Sequence, residues 1–581
     1  MSEPVSDPVS DPVSDTVHGV LDAAAAARPG QLVRFPSERE AVSYHELARS
    51  ARALARQLAA GDLGAGRLTG GVRPGEPVGV LSPNAPEFLR SLFAVTAAGG
   101  AACPLPLPAG LADVAAYGNR LARIADVAGM RLVLVSPRLH QLADHLRAAL
   151  PKLTLVTVGL PGDAGSPGDP GAPPAAATKA PLPAVAPHDA AIVQFTSGST
   201  ALPKGVRLTH RNVLAGLAAI SEGIALGPSD SGGFWLPLFH DMGLFGVMAG
   251  IQAGIPLHIW SPLSFIKQPA RWLGEFLASG ATITAMPDFG YRTLTAAVSA
   301  PEAAGLDMAH WRIAFNGAEP VQAQTVHEFT SRFGPAGFRP GAMFTVYGMA
   351  EATLAITFPP LGRTPVFHWV DRDKLAATGR AVPAAPGTPR ARAIAGAGRP
   401  VAGMELRVAD PDSGASVPDG VVGEILIRGA AVTAGYLGEQ PAGNAAGWLR
   451  TGDLAFTCDG EVFITGRRKE MITVRGANYY PQDVEVIARR VPGVFRGHCA
   501  AVAGQGAASA GSASAEEVLL IAETTLAGAA AGELAGELRR RVAAELGLTQ
   551  VTVRLVKPRA IPRTSSGKIR RLASRDLPVR S

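Results

Sequence analysis

Between residues 194 and 206 the chain reads QFTSGSTALPKGV, a glycine- and hydroxyl-rich loop set between two patterned segments. Before it, residues 190–195 form a short apolar run with branched side chains, which predicts a buried strand. After it, Val213, Leu214, Leu217 and Ile220 recur at helical spacing behind Thr209, a predicted N-cap. Strand, loop and helix in that order give a geometry that binds anions, because unpaired backbone N–H groups face the ligand. Gly198 and Gly205 allow close backbone approach, while Thr196, Ser197, Ser199 and Thr200 add hydroxyl donors and Lys204 a mobile positive charge. The Walker A spacing is absent, which excludes the common phosphoryl-transfer loop. Far downstream, residues 563–568 read RTSSGK and place a second lysine, Lys568, in a small-residue turn. The pair implies activation of a substrate with a nucleoside triphosphate, one lysine coming from the loop and the other from a distant part of the chain.

A chain of 581 residues exceeds one compact core and predicts at least two domains. Its 47% hydrophobic and 18% charged residues suit a globular enzyme, and a net charge of +6 with scattered arginines gives no reason to expect nucleic acid as a partner. Cys103, Cys458 and Cys499 have no metal-ligand spacing. With no apolar run near ~20 residues and no leader pattern, neither a membrane partner nor export is expected, and the predicted location is cytoplasmic. Residues 5–16 repeat Val-Ser-Asp-Pro and read as a disordered tail; 161–188 read as a Pro/Gly/Ala linker, and 504–515 as a surface loop. Strand runs at 281–286, 312–315 and 342–346 each lead into a candidate ligand segment, as expected for an α/β sheet that binds beyond the carboxyl ends of its strands.

Further motifs follow in order: YGMAE at 347–351, GEILIR at 423–428, WLRTGD at 448–453, GRRK at 466–469 and PRTSSGK at 562–568. With the loop, they make the chain resemble the adenylate-forming superfamily of acyl-CoA synthetases, luciferases and peptide-synthetase adenylation domains over roughly residues 40–575. WLPLFHDMG at 235–243, NGAEP at 316–320, NYYPQD at 478–483 and an extra segment at 361–397 look most like fatty acyl-AMP ligases. The resemblance implies a mixed α/β (α+β) fold. A disordered tail at 1–17 would precede a large N-terminal domain at 18–465 of β-sheets flanked by helices, and a small mobile C-terminal lid would span 466–581.

It also implies the chemistry. A carboxylic acid, either a fatty acid or a bulkier natural-product acid, is activated with ATP and Mg²⁺ to an acyl-adenylate, releasing pyrophosphate. The acyl group then passes to an acyl carrier protein or a separate acyltransferase, with CoA disfavoured by the 361–397 insertion. A complete acyl-CoA synthetase is the alternative reading, and a non-catalytic nucleotide-binding scaffold a third. Lys568 is expected to bridge carboxylate and α-phosphate, with Lys204 and His240 as the other catalytic residues. Thr196, Ser197, Gly198, Ser199 and Thr200 would hold phosphates, and Glu351, assisted by Thr200 or Thr196, the Mg²⁺. Asn316, Gly317, Ala318, Glu319, Tyr347, Gly348, Met349 and Ala350 would surround adenine. Asp453 would accept from the ribose hydroxyls beside Arg467, and Lys469 would be the hinge.

Overall fold

The computed structural model describes residues 15–63, 66–67, 70–108, 114–159, 181–196, 203–388, 390–439, 443, 446–474, 477–505, 516–563 and 569–578. Two large sheets organise most of the chain. In the seven-stranded sheet, Met343–Thr345, Ile313–Asn316, Ile283–Met286, Gly232–Phe234, Leu257–Ile259 and Leu32–Phe35 run parallel in that spatial order, and Glu40–Ser43 closes the edge antiparallel. The three strand runs read from sequence are therefore neighbours, with their carboxyl ends side by side. In the six-stranded sheet, Ala101–Pro104, Pro77–Leu81, Leu132–Val135 and Thr154–Thr157 continue parallel from Ala190–Thr196.

Helices Pro86–Ala97, His210–Gly223 and Asp241–Gln252 belong to one core shared by the two sheets, which joins Ile192 and Val78 to Phe234 and Ile283. The other face of the six-stranded sheet buries Val193 and Cys103 beneath helices Val114–Ala128 and His140–Ala149. Burial on both faces explains why residues 190–193 read as a continuous apolar run rather than an alternation.

The segment after the loop differs from the expected strand–loop–helix. Lys204–Thr209 is itself a strand, paired antiparallel with Ala190–Thr196 in the register Lys204↔Thr196, Val206↔Gln194 and Leu208↔Ile192. The described residues on either side of the loop are thus paired strands, and no helix starts directly behind it. Val206 and Leu208 are buried and Arg207 is exposed, a period-two signal that the helical reading passed over. The helix does begin behind Thr209, whose hydroxyl accepts from Asn212 N at 3.1 Å while the Asn212 side chain accepts from Thr209 N at 3.0 Å. At the N-terminus, helix Val17–Ala27 starts with a fully buried Val17, one residue inside the stretch read as tail.

Beyond the large sheets lies an antiparallel sheet of Met404–Ala409, Gly423–Gly429, Leu449–Cys458 and Glu461–Arg467. The last part of the chain pairs Cys499–Gln505, Glu516–Glu523 and Val551–Val556 under helices Pro481–Arg489 and Gly528–Leu546, around a core of its own that contains Ile487, Leu520 and Leu538. The insertion at 361–397 contains a hairpin, Phe367–Asp371 with Ala391–Ala395, and helix Arg372–Thr378. Its Val370, Leu375 and Ile394 pack on Phe456 and Phe463 of the antiparallel sheet and on Tyr480 of the C-terminal part. Among the described residues no helix is long and apolar enough to cross a membrane.

Candidate active site

A cavity of about 1450 Å³ opens at the carboxyl ends of the parallel strands. Thr196, Lys204, His240, Ala318, Glu319, Tyr347, Gly348, Met349, Ala350, Glu351, Asp453, Arg467 and Lys469 all line it. Chain positions separated by hundreds of residues thus converge on one space. Ser197, Gly198, Ser199, Thr200 and Lys568 lie outside the described residues. Arg563 and Ile569, on either side of Lys568, do line the cavity. Just beyond, Arg571 donates to Glu485 at 2.7 and 3.0 Å and to Glu470 at 2.7 Å, tying this end of the chain to the neighbour of Lys469.

Two expected residues are not on the cavity wall. Asn316 ends its strand fully buried, its amide directed at Met343 Sδ, and Gly317 packs where an added Cβ would sit 2.8 Å from Val346 Cγ2. The turn they begin reaches the cavity only at Ala318 and Glu319. Ala318 adopts φ +68°, a left-handed conformation that costs a non-glycine residue about 1–2 kcal/mol. That turn carries the backbone out of the sheet and along the cavity. Gly348 has a steric reason, since a Cβ there would collide with the Leu354 carbonyl.

Asp453 is the centre of one polar cluster. Tyr347 Oη donates to its Oδ2 at 2.7 Å and Arg467 Nε donates to its Oδ1 at 2.8 Å. Burial and the adjacent carboxylate push the Tyr347 hydroxyl pKa well above its usual value, so it stays a donor. Asp453 itself holds Arg467 above the usual guanidinium value. The Arg467 side chain is 60% exposed, and such a pair contributes only about 0–1 kcal/mol to stability. A further carboxylate lone pair remains on each oxygen for another donor.

Glu351 is the centre of a second cluster. Burial raises its pKa, the nearby Asp241 charge adds to the rise, and a hydrogen bond from Tyr436 opposes it. Tyr436 Oη donates to Glu351 Oε1 at 2.8 Å, and Lys204 Nζ lies 4.7 Å from the centre of the same ring. Lys204 also donates to Glu439 Oε1 at 2.9 Å. Sequence reasoning missed Tyr436 and Glu439. They sit in an irregular segment without periodicity, and pairing with the strand after the loop, Leu437 N to Gly205 O at 2.9 Å and Arg207 N to Gly435 O at 3.2 Å, brings them beside it. A third polar group, His240, places Nδ1 2.6 Å from Asp241 Oδ1 at the start of helix Asp241–Gln252.

Away from these clusters the cavity becomes apolar, walled by Ile220, Phe234, Gly246, Ala249, Ile255 and Phe315. A polar chamber with two ionic clusters, opening into an apolar lobe, suits an enzyme whose reactants carry both charged, hydroxyl-rich parts and an apolar part. Residues 21–437 match the family of AMP-binding enzymes, and the chain belongs to that family. It is similar to a long-chain-fatty-acid–AMP ligase of Mycolicibacterium smegmatis, at 31% identity over 88% of this chain and 86% of that protein. A medium-chain-fatty-acid–[acyl-carrier-protein] ligase of Moorena producens is 31% identical over 93% of this chain and 90% of the other. A solved structure from work on fatty acyl-adenylate ligases of E. coli and L. pneumophila superposes with a TM-score of 0.86 at 30% identity, covering 96% of this chain and 97% of that one.

Proposed function

We propose that the protein is an acyl-AMP ligase that joins a fatty or similarly bulky carboxylic acid to AMP and then delivers the acyl group to a carrier-protein thiol. The observation that carries this reading is the single cavity in which the Asp453 and Glu351 clusters share walls with an apolar lobe. AMP-binding enzymes use ATP. In the first step a carboxylate oxygen attacks the α-phosphorus, the bond to the bridging oxygen of the β-phosphate breaks, and pyrophosphate leaves. In the second a thiolate attacks the acyl carbon and the bond to AMP breaks.

Two anions must meet in the first step, so alignment and neutralisation are the main tasks. Asp453 accepts from the ribose hydroxyls, with Tyr347 and Arg467 fixing its orientation. Tyr347 and the 318–319 backbone hold the base, and Lys204 and the 196–200 loop bind the phosphates. His240 receives the carboxylate, and Lys568 bridges it to the α-phosphate. Lys469 is the hinge about which the part from residue 466 turns. Burial raises the Glu351 pKa and the Asp241 charge adds to the rise, so a bound cation would favour the ionised carboxylate, which supports Mg²⁺ held by Glu351. Such a hard ion takes its remaining ligands from phosphate oxygens and water, which suits a site where no group of three or more His, Cys, Asp or Glu occurs among the described residues. When bound it supplies charge neutralisation for the polyphosphate. A cytoplasmic setting completes the reading.

A panel of carboxylic acids, scored by pyrophosphate release with hydroxylamine to trap the adenylate, tests the proposal; no acid-dependent hydroxamate from any member overturns it. Glu351→Gln is expected to raise the Mg²⁺ concentration needed for half-maximal turnover, with excess Mg²⁺ restoring part of the rate. The amide keeps the shape and the Tyr436 contact but loses the charge. An unchanged Mg²⁺ titration would show that the ion is held elsewhere.

A further inference from the structure

The turn that carries His240 is held by two buried amide side chains, used very differently. Asn84, 4% exposed, satisfies both ends of its amide. Its Nδ2 donates to Leu236 O and Trp260 O at 2.9 Å, and its Oδ1 accepts from Leu238 N at 2.9 Å. Gln194, 3% exposed, uses only one end. Its Nε2 donates to Phe239 O at 2.6 Å, while Oε1 is enclosed without a hydrogen-bond partner among the described residues. A flipped amide would set oxygen against the Phe239 carbonyl, so the contact itself fixes the orientation. An enclosed acceptor without a partner destabilises the fold, and an apolar side chain of similar size would avoid that cost. Stability therefore does not explain a glutamine here, and local violations of this kind concentrate where function demands them.

The placement supplies the demand. Gln194 lies on strand Ala190–Thr196, whose last residue enters the phosphate loop, and Phe239 directly precedes His240. Gln194, Thr196, Phe239 and His240 all line the cavity. The turn has little other slack, because an added Cβ at Gly243 would lie 2.5 Å from Pro237 O. We infer that Gln194 is a positioning residue that locks the His240 turn to the phosphate-loop strand, holding the acid's carboxylate in line with the α-phosphate. This rests on the reading that His240 receives the carboxylate. Gln194 acts through its donor to Phe239 O, which sets the distance between the two subsites.

The test compares Gln194→Leu, Gln194→Glu, His240→Ala and wild type by melting temperature and by kinetics with a fatty acid and ATP varied separately. Gln194→Leu is expected to melt near the wild-type temperature, because removing the enclosed Oε1 offsets the lost donor to the half-buried Phe239 carbonyl. Its kcat/KM for the acid should fall by up to about 10²-fold, as for a misplacement near 1 Å, while the KM for ATP stays unchanged. Gln194→Glu should recover activity as the pH falls, relative to wild type. Burial keeps that carboxyl protonated to higher pH than usual, and only the protonated form has an O–H to give Phe239 O. Unchanged acid kinetics in Gln194→Leu, or a lowered melting temperature with equal losses for acid and ATP, would overturn the inference. If His240→Ala also leaves acid kinetics unchanged, the placement of the carboxylate falls with it. If His240→Ala impairs the acid and Gln194→Leu does not, only the positioning role is lost.

Discussion

Replacing Lys568 with alanine is expected to slow acid-dependent pyrophosphate release by about 10²–10³-fold or more, while ATP still binds measurably. The carboxylate and the α-phosphate both carry negative charge, and that charge concentrates on the oxygens between them as the new bond forms. One ammonium placed there acts mainly on the transition state, so its loss appears in turnover rather than in nucleotide affinity. The residues flanking this segment support the assignment: Arg563 and Ile569 line the cavity, and Arg571 is anchored to Glu470 and Glu485. A long flexible stem would let lysine reach in from a C-terminal part that turns about Lys469, as proposed. Pyrophosphate release near the wild-type rate in Lys568→Ala would remove this residue from the mechanism.

The second large effect concerns the acceptor. Wild-type protein supplied with CoA is expected to accumulate acyl-adenylate and form little acyl-CoA, and Arg392→Ala is expected to raise the thioester-to-adenylate ratio by about tenfold to a hundredfold. Arg392, in the insertion, forms an ion pair with Asp483 at 3.0 Å, both side chains being 11% exposed. It also donates to Thr465 O at 2.7 Å and lies 4.3 Å over the Tyr480 ring. Arg372 Nη1 adds a contact to Glu545 O at 3.3 Å. These contacts join the insertion to the chain on both sides of Lys469, so rotation of the C-terminal part must break them. Leaving one partner of a buried pair unpaired costs about 3–5 kcal/mol, but rotation returns both groups to water, so only about 1.4–2.8 kcal/mol of that bears on the equilibrium, and each ~1.4 kcal/mol shifts a two-state population tenfold. A point variant serves better than deleting 361–397, which would uncover Phe456 and Phe463. Efficient wild-type synthesis of acyl-CoA, followed by chromatography, would sink this account and favour a complete acyl-CoA synthetase.

Much of the architecture was legible because it is written in local patterns. The apolar runs ending near Met286, Phe315 and Val346 needed only their neighbours to be recognised, and they became adjacent parallel strands. Thr209 announced a helix start from its residue type and its place before the helical spacing. The loop could be picked out by residue type, because oxyanion recognition calls for glycines, hydroxyls and charges, whereas Asp453, Glu351 and Arg467 were reached through the motifs that carry the family resemblance. The strand after the loop was missed because Lys204–Thr209 is too short for its alternation to outweigh the longer helical signal behind it.

What only the tertiary structure decided is which of these groups act together. Tyr347 and Asp453 are 106 positions apart, Glu351 and Tyr436 are 85 apart, and Lys204 and Glu439 are 235 apart, yet each pair is within hydrogen-bond distance. The same folding left Asn316 and Gly317 behind the cavity wall while the next two residues reached it. It also turned residues 361–397, readable only as an inserted length of chain, into a hairpin wedged between the antiparallel sheet and Tyr480. The sequence by itself determined the elements and the chemical inventory, because propensity, periodicity and side-chain chemistry act over a few residues. Partnership across the cavity depends on how whole sheets stack and cross, and no local pattern encodes that.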